Sequence, residues 1–229
     1  PRLGTVHCAA GHSLGEFTAH VAAGTLSFAQ ALAAVRRRGE LMYEAGLARP
    51  GTMAAVLGLD DTEVESVCAQ VTAGVCVPAN FNSAGQVVIS GDAAGVAEGM
   101  ELAREAGAKR VVELQVSGAF HSPLMNVAQP GLAEHLDGLS FADPQFAVYA
   151  NVDAAPVRSG DTARTRLIEQ LTAPVRWAAS VAAMVDQGVD QFIEVGPGRV
   201  LCGLNRRTAR GIASSAVGTP QDFDEMERN

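Results

Sequence analysis

The stretch Thr5-Val6-His7-Cys8-Ala9-Ala10-Gly11-His12-Ser13-Leu14-Gly15-Glu16 decides how the chain is read. Its first six residues read as a short buried strand over 5–10 that runs straight into Gly11. A helix follows over 13–23, with Gly24 as its left-handed cap. A serine with glycines two residues before and two after, between a strand and a helix, has the pattern of a nucleophile elbow. Small residues permit a sharp turn, and the turn lifts the serine hydroxyl out of the sheet. The helix start also brings backbone N–H groups and the positive end of its dipole to an oxyanion developing there. Ser13 is therefore the candidate acyl-accepting nucleophile.

Moving outward, Ser27 with Gln30 three residues on is a capping-box signal. It opens a helix whose apolar stripe runs through Phe28, Leu32, Val35 and Met42. From Thr52 the pattern changes. A strand over 53–59, a capped helix over 61–71, and strands over 75–82 and 86–90 joined by Ser83-Ala84-Gly85 come first. A helix over 93–106 ended by Gly107 and a strand over 110–116 complete the order β-α-β-β-α-β, which belongs to a split βαβ, ferredoxin-like module. Residues 51–117 thus read as a subdomain inserted into an α/β domain made of 1–50 and 118–229. The second part of that domain reads as a helix over 123–136 interrupted by Pro130, a strand over 146–151, and helices over 162–171 and 177–185. A strand over 191–195 then ends in Gly196-Pro197-Gly198, before a helix running through Arg207. Strands alternating with helices on both sides of the insert predict a parallel sheet covered by helices.

The bulk properties narrow the function classes. With 48% hydrophobic and 18% charged residues in 229, the chain has the composition of a compact domain and not of a disordered one. A formal charge of −8 argues against a nucleic-acid surface. Arginines do cluster at Arg36-Arg37-Arg38 and at Arg206-Arg207 with Arg210, where solvated helix faces account for most of them. Cys8, Cys68, Cys76 and Cys202 form no C-x-x-C pair and no metal-like spacing, so reduced thiols are expected and no metal. No apolar run approaches the ~20 residues that span a bilayer, and no signal-peptide pattern opens the chain. The expected location is the cytoplasm.

A serine nucleophile needs a base, and five histidines are available. His7 falls within the first strand, His20 well along the helix, and His135 among surface-type residues. His12 is in the elbow and cannot easily turn back on its neighbour. His121 lies in Gly118-Ala119-Phe120-His121-Ser122-Pro123, a loop between a strand and a helix, where functional groups of α/β folds collect.

These runs resemble the malonyl-CoA:acyl carrier protein transacylases, the family that includes the acyltransferase domains of polyketide and fatty-acid synthases. The similarity rests on Gly11-His12-Ser13-Leu14-Gly15-Glu16, Arg38-Gly39, Asn80-Phe81-Asn82-Ser83, Gly118 to Met125, Gln170-Leu171, and Glu194-Val195-Gly196-Pro197-Gly198. The resemblance implies that Ser13 forms the acyl-enzyme ester and that His121 is the general base. It implies further that the backbone carbonyl of Gln170 orients His121, and that Leu14 gives an oxyanion N–H. Arg38 would bind the free carboxylate of the malonyl group, with Phe120, His12 and Asn82 also on the substrate side. In related synthase domains a phenylalanine just before the base goes with malonyl, and serine there with methylmalonyl.

The implied partners are malonyl-CoA and acyl carrier protein, with no nucleic acid, no membrane, and no cofactor beyond the coenzyme A thioester substrate. One departure stands out. Only ten residues precede Gly11, and the family's upstream Gly-Gln-Gly-Ser-Gln loop, implied source of a second oxyanion donor, does not occur. Losing one such donor costs roughly 10²–10³ in rate. The expectation is an α/β domain lacking the family's N-terminal part. Two alternatives stay open: a serine esterase or thioesterase, and a truncated relative that only binds. The first runs in the order Ser, Asp/Glu, His, and no histidine follows His135.

Overall fold

The computed structural model describes residues 5–228. The chain enters through β1 (Cys8–Ala10), α1 (Leu14–Ala22) and α2 (Phe28–Ala48). Its middle part is β2 (Gly51–Leu57), α3 (Asp61–Gln70), β3 (Cys76–Ser83), β4 (Gln86–Asp92), α4 (Ala93–Glu105) and β5 (Arg110–Glu113). A 3-10 turn (Pro123–Val127) leads into α5 (Gln129–Asp137), β6 (Ala147–Tyr149), β7 (Pro156–Val157), α6 (Gly160–Glu169) and α7 (Trp177–Asp186). β8 (Gln191–Val195), α8 (Val200–Thr208), β9 (Ala213–Val217) and α9 (Pro220–Arg228) follow.

Parallel pairing holds the α/β part, β1 with β6 and β8 with β9, and β7 adds an antiparallel edge. Ala19 and Ala23 pack against Val148 and Ala9, so small residues let α1 lie close on β1 and β6. Trp177, Val181 and Met184 of α7 share a core with Tyr149, Leu204, Cys8 and Phe192. A larger cluster joins α1, α2, α5 and α6 through Phe17, Leu41, Met42, Leu132, Leu136 and Leu167. The capping box at Ser27–Gln30 closes on α2, and a second at Asp60–Glu63 starts α3.

The middle sheet is antiparallel in the order β3-β4-β2-β5. Val56, Phe81, Val87 and Ile89 on one face meet Val64 and Val67 of α3 and Val96 of α4. The other face, with Met53, Ala79 and Val88, packs on Leu114 and Phe120. Two backbone hydrogen bonds fasten β3 to the segment before α7: Phe81 N–H to Val175 O (2.9 Å) and Val175 N–H to Ala79 O (2.8 Å).

Several boundaries differ from expectation. The first strand is three residues long, and His7 precedes it in exposed chain. The helix expected over 123–136 is two pieces. Pro130 sits in the first turn of α5, where its missing N–H breaks no bond, and so starts a helix instead of interrupting one. β7, β9 and α9 escape sequence reading. Ala213–Val217 is short and rich in small and hydroxyl residues, which leaves little alternation to detect. α2 passes close to the loop that carries His121: a Cβ on Gly46 would lie 2.6 Å from Ser117 O.

Candidate active site

Ser13 joins β1 to α1 with φ 52° and ψ −110°, a left-handed conformation that a non-glycine residue adopts only when its surroundings impose it. Gly11 is sterically required, since a Cβ there would lie 1.9 Å from the Gly15 carbonyl. Gly15 is not, for a Cβ there would meet nothing within 4 Å. Asn151 holds the turn from the far end of β6. Its Oδ1 accepts from Ser13 N–H (2.7 Å) and its Nδ2 donates to Gly11 O (2.8 Å). Gln170 Nε2 donates to Ser13 O (2.9 Å).

The Ser13 hydroxyl meets two side chains. His121 Nε2 lies 2.8 Å from Oγ, and Arg38 Nη2 donates to Oγ at 2.9 Å. The other nitrogen of His121, Nδ1, faces two backbone carbonyls, Gln170 O (2.9 Å) and Ala173 O (3.1 Å). Carbonyls only accept, so Nδ1 carries the proton and Nε2 is the acceptor for the serine O–H. Burial, then the Arg38 charge, pushes the His121 pKa down to about 4, against the opposing pull of the Gln170 carbonyl. The imidazole is therefore a free base at neutral pH. His121 also has positive φ (56°), a conformation rare for a non-glycine residue.

Arg38 is buried in the middle of α2, while Arg36 points to solvent and pairs with Glu40. Burial lowers the Arg38 pKa to about 10, with the negative charge of Glu16 working the other way, and the guanidinium stays charged at neutral pH. Glu16, in the first turn of α1, is fully buried; desolvation raises its pKa to about 7 against donors from Gln170 and Asn151 and the charge of Arg38. His12 Nε2 lies 2.8 Å from Asn82 Oδ1 and its ring packs on Trp177.

A cavity of about 500 Å³ opens over these groups. Ser13, His121, Arg38, His12 and Phe120 line it, together with Asn80, Met53 and Tyr43. Of the residues singled out in the sequence, three stand off the cavity wall. Asn82 reaches it through His12, Gln170 lies behind His121 and Arg38, and Leu14 begins α1, where the next two N–H groups, of Gly15 and Glu16, bond to His12 O and Ser13 O. Among the described residues no cluster of His, Cys, Asp or Glu is placed to hold a metal ion, and no helix is long and apolar enough to cross a membrane.

Residues 5–222 match the acyl transferase domain family. A malonyl CoA-acyl carrier protein transacylase of Bacillus subtilis is 46% identical over 217 residues, which cover 94% of this chain and 68% of the relative. The chain belongs to the malonyl-CoA:acyl carrier protein transacylase family. A crystal structure of such a transacylase from Xanthomonas oryzae is 45% identical with a TM-score of 0.91, covering 96% of this chain and 70% of the other. A malonyl-transacylase in complex with its type II polyketide acyl-carrier protein is 41% identical with a TM-score of 0.92, covering 99% of this chain and 74% of the other.

For a member of the transacylase family, the constellation holds three residues that sequence reasoning left without a role: Glu16, Asn80 and Asn151. Glu16 is a charged residue on the helix face that also buries Ala19 and His20, a misfit that could have marked it. Asn151 gives no local signal, because its partners are more than a hundred positions away.

Proposed function

We propose that this chain transfers the malonyl group of malonyl-CoA to the phosphopantetheine thiol of acyl carrier protein, through an ester on Ser13, in fatty-acid or polyketide synthesis. One observation carries the reading: a single hydroxyl lies between the acceptor nitrogen of a neutral histidine and the guanidinium of a buried arginine. A base beside a serine suits any acyl enzyme. A buried guanidinium beside the same serine suits an acyl group that brings its own carboxylate.

In the first half-reaction the Ser13 proton passes to His121 Nε2 and Oγ attacks the thioester carbonyl. The oxyanion meets the Leu14 N–H at the start of α1. The C–S bond breaks, and coenzyme A leaves with the proton from His121. In the second half the carrier thiol gives its proton to His121, its sulfur attacks the seryl ester, and the proton returns to Ser13. Arg38 holds the malonyl carboxylate and so positions the carbonyl. Phe120, beside His121, takes the space an α-methyl would need, with His12 and Asn82 shaping the same side.

Residues 1–50 and 118–229 supply the chemistry, and 51–117 form a subdomain that roofs the cavity with Met53, Asn80 and Leu114. No metal or redox group enters these steps. The four free thiols suit a cytoplasmic protein. The relatives named above supply the donor and acceptor of this reading. Against a serine hydrolase stands the Nδ1 side of His121, where such an enzyme carries a carboxylate and this chain has two carbonyls.

The test is intact-mass analysis after mixing the protein with malonyl-CoA. A malonyl adduct on Ser13, discharged by carrier protein bearing its phosphopantetheine, is expected. Protein left unmodified would sink the proposal.

A further inference from the structure

Both ends of the Gln170 side chain are in use. Its Nε2 donates to Ser13 O and to Glu16 Oε2 (2.9 and 2.8 Å), and its Oε1 accepts from Arg38 Nη2 (3.0 Å). Glu16 Oε2 accepts a second bond from Asn151 N–H (3.2 Å). Glu16 and Arg38 are thus a buried carboxyl and a buried guanidinium with one carboxamide between them. Each favours the charged form of the other.

We propose that Glu16 is a positioning residue for Arg38, acting through the Gln170 carboxamide; the inference rests on the function proposed above. A carboxamide can face either way in its pocket. Here two acceptors, Glu16 Oε2 and Ser13 O, stand on one side, so the NH2 group faces them and Oε1 turns to the guanidinium. The reversed amide would set its oxygen against two acceptors and its NH2 against a donor, losing three hydrogen bonds together. Glu16 therefore fixes the amide, and the amide fixes Arg38 Nη2 beside the nucleophile. Arg38 Nε is buried with no partner among the described residues.

The experiment measures Ser13 acylation by malonyl-CoA and by acetyl-CoA, which has no carboxylate for Arg38 to hold, in the full chain. Variants are Glu16→Met, Glu16→Gln, Gln170→Met and the double Glu16→Met/Gln170→Met. Loss of the Gln170–Glu16 hydrogen bond predicts that Glu16→Met lowers the malonyl-to-acetyl ratio of kcat/KM about 10-fold. Glu16→Gln, whose amide oxygen can still accept from Gln170, restores most of the ratio. Gln170→Met lowers it equally, and the double variant lowers it no further, because the two residues act in series.

A carboxylate that only stabilises the fold would slow both substrates alike and leave the ratio unmoved. That result, or additive losses in the double variant, overturns the inference. If Glu16→Met does not fold, Gln170→Met keeps the test, since an unchanged ratio there overturns it too. Wild-type protein that takes up acetyl but no malonyl overturns the proposed function itself, and this inference with it.

Discussion

The elbow at Ser13 and the hairpin of β3 and β4 are both tight reversals, but different forces hold them. The hairpin's turn is set by its own residues, although β3 is also fastened to Val175. Ser83 pairs with Gln86 across a two-residue turn whose second residue, Gly85, has φ 72°, and Val87 and Ile89 bury themselves in the adjoining core. The elbow is strained and owes its shape to distant amides, with Asn151 138 and 140 positions away and Gln170 157. The hairpin's geometry is secured by local sequence and apolar area. The elbow's is secured by a few polar bonds over long separations, so damage to those bonds should reach the chemistry before it reaches the fold.

The largest effect expected is at the nucleophile. Ser13→Ala should lower malonyl transfer by roughly 10³-fold or more while the far-ultraviolet circular dichroism stays native. Retained transfer would move the reaction off the elbow altogether. A pair of substitutions then tests the contrast directly. Ile89→Ala opens a cavity in the hairpin core and should cost about 2–5 kcal/mol in urea melts, with kcat little changed. Asn151→Ala strands two buried backbone groups and should cost less stability, about 1–3 kcal/mol, yet slow Ser13 acylation at least ~10-fold. If the slower enzyme is the Ile89 variant, the contrast is wrong.

Acidity sharpens it further. With the His121 pKa near 4, acylation should persist through pH 5 and fall as pH drops through about 4, as stopped assays across pH will show. Glu16 is the opposite case for stability. Its pKa is raised from 4.5 to about 7, so its favourable contribution is present below 4.5 and lost as pH rises through 7. Glu16→Gln should therefore gain on wild type between those limits, by about 3 kcal/mol, when thermal melts at pH 5 and pH 8 are compared. The smallest effect belongs to Arg36→Ala. Its exposed pair with Glu40 predicts a change in melting stability within about 0.5 kcal/mol and normal transfer, unlike the buried Arg38 two residues on.

What sequence could reveal follows the same division. The capping box of α2, the strand at 191–195 and the β-α-β-β-α-β order of 51–113 are written in short-range signals, and all appear in the structure. Ser13, His121 and Arg38 were legible through motifs, and they meet within hydrogen-bond reach. Polar clamps were not legible. Asn151 and Glu16 owe their importance to partners that only the folded chain brings near. Asn80 and Asn82 would share one face of a regular strand. Register shifts after Pro78 and after Phe81 disturb that alternation, and Asn80 lines the cavity while Asn82 holds His12.

The close approach at Gly46 has a consequence for how the acyl site could change. α2 is one rigid rod carrying the cation at position 38 and resting, about two turns further on, against the strand exit at Ser117. The cavity wall at Ser117 is therefore gauged by a missing methyl at position 46. Any side chain at 46 would have to displace Ser117, and with it the start of the loop that runs on to Phe120 and His121.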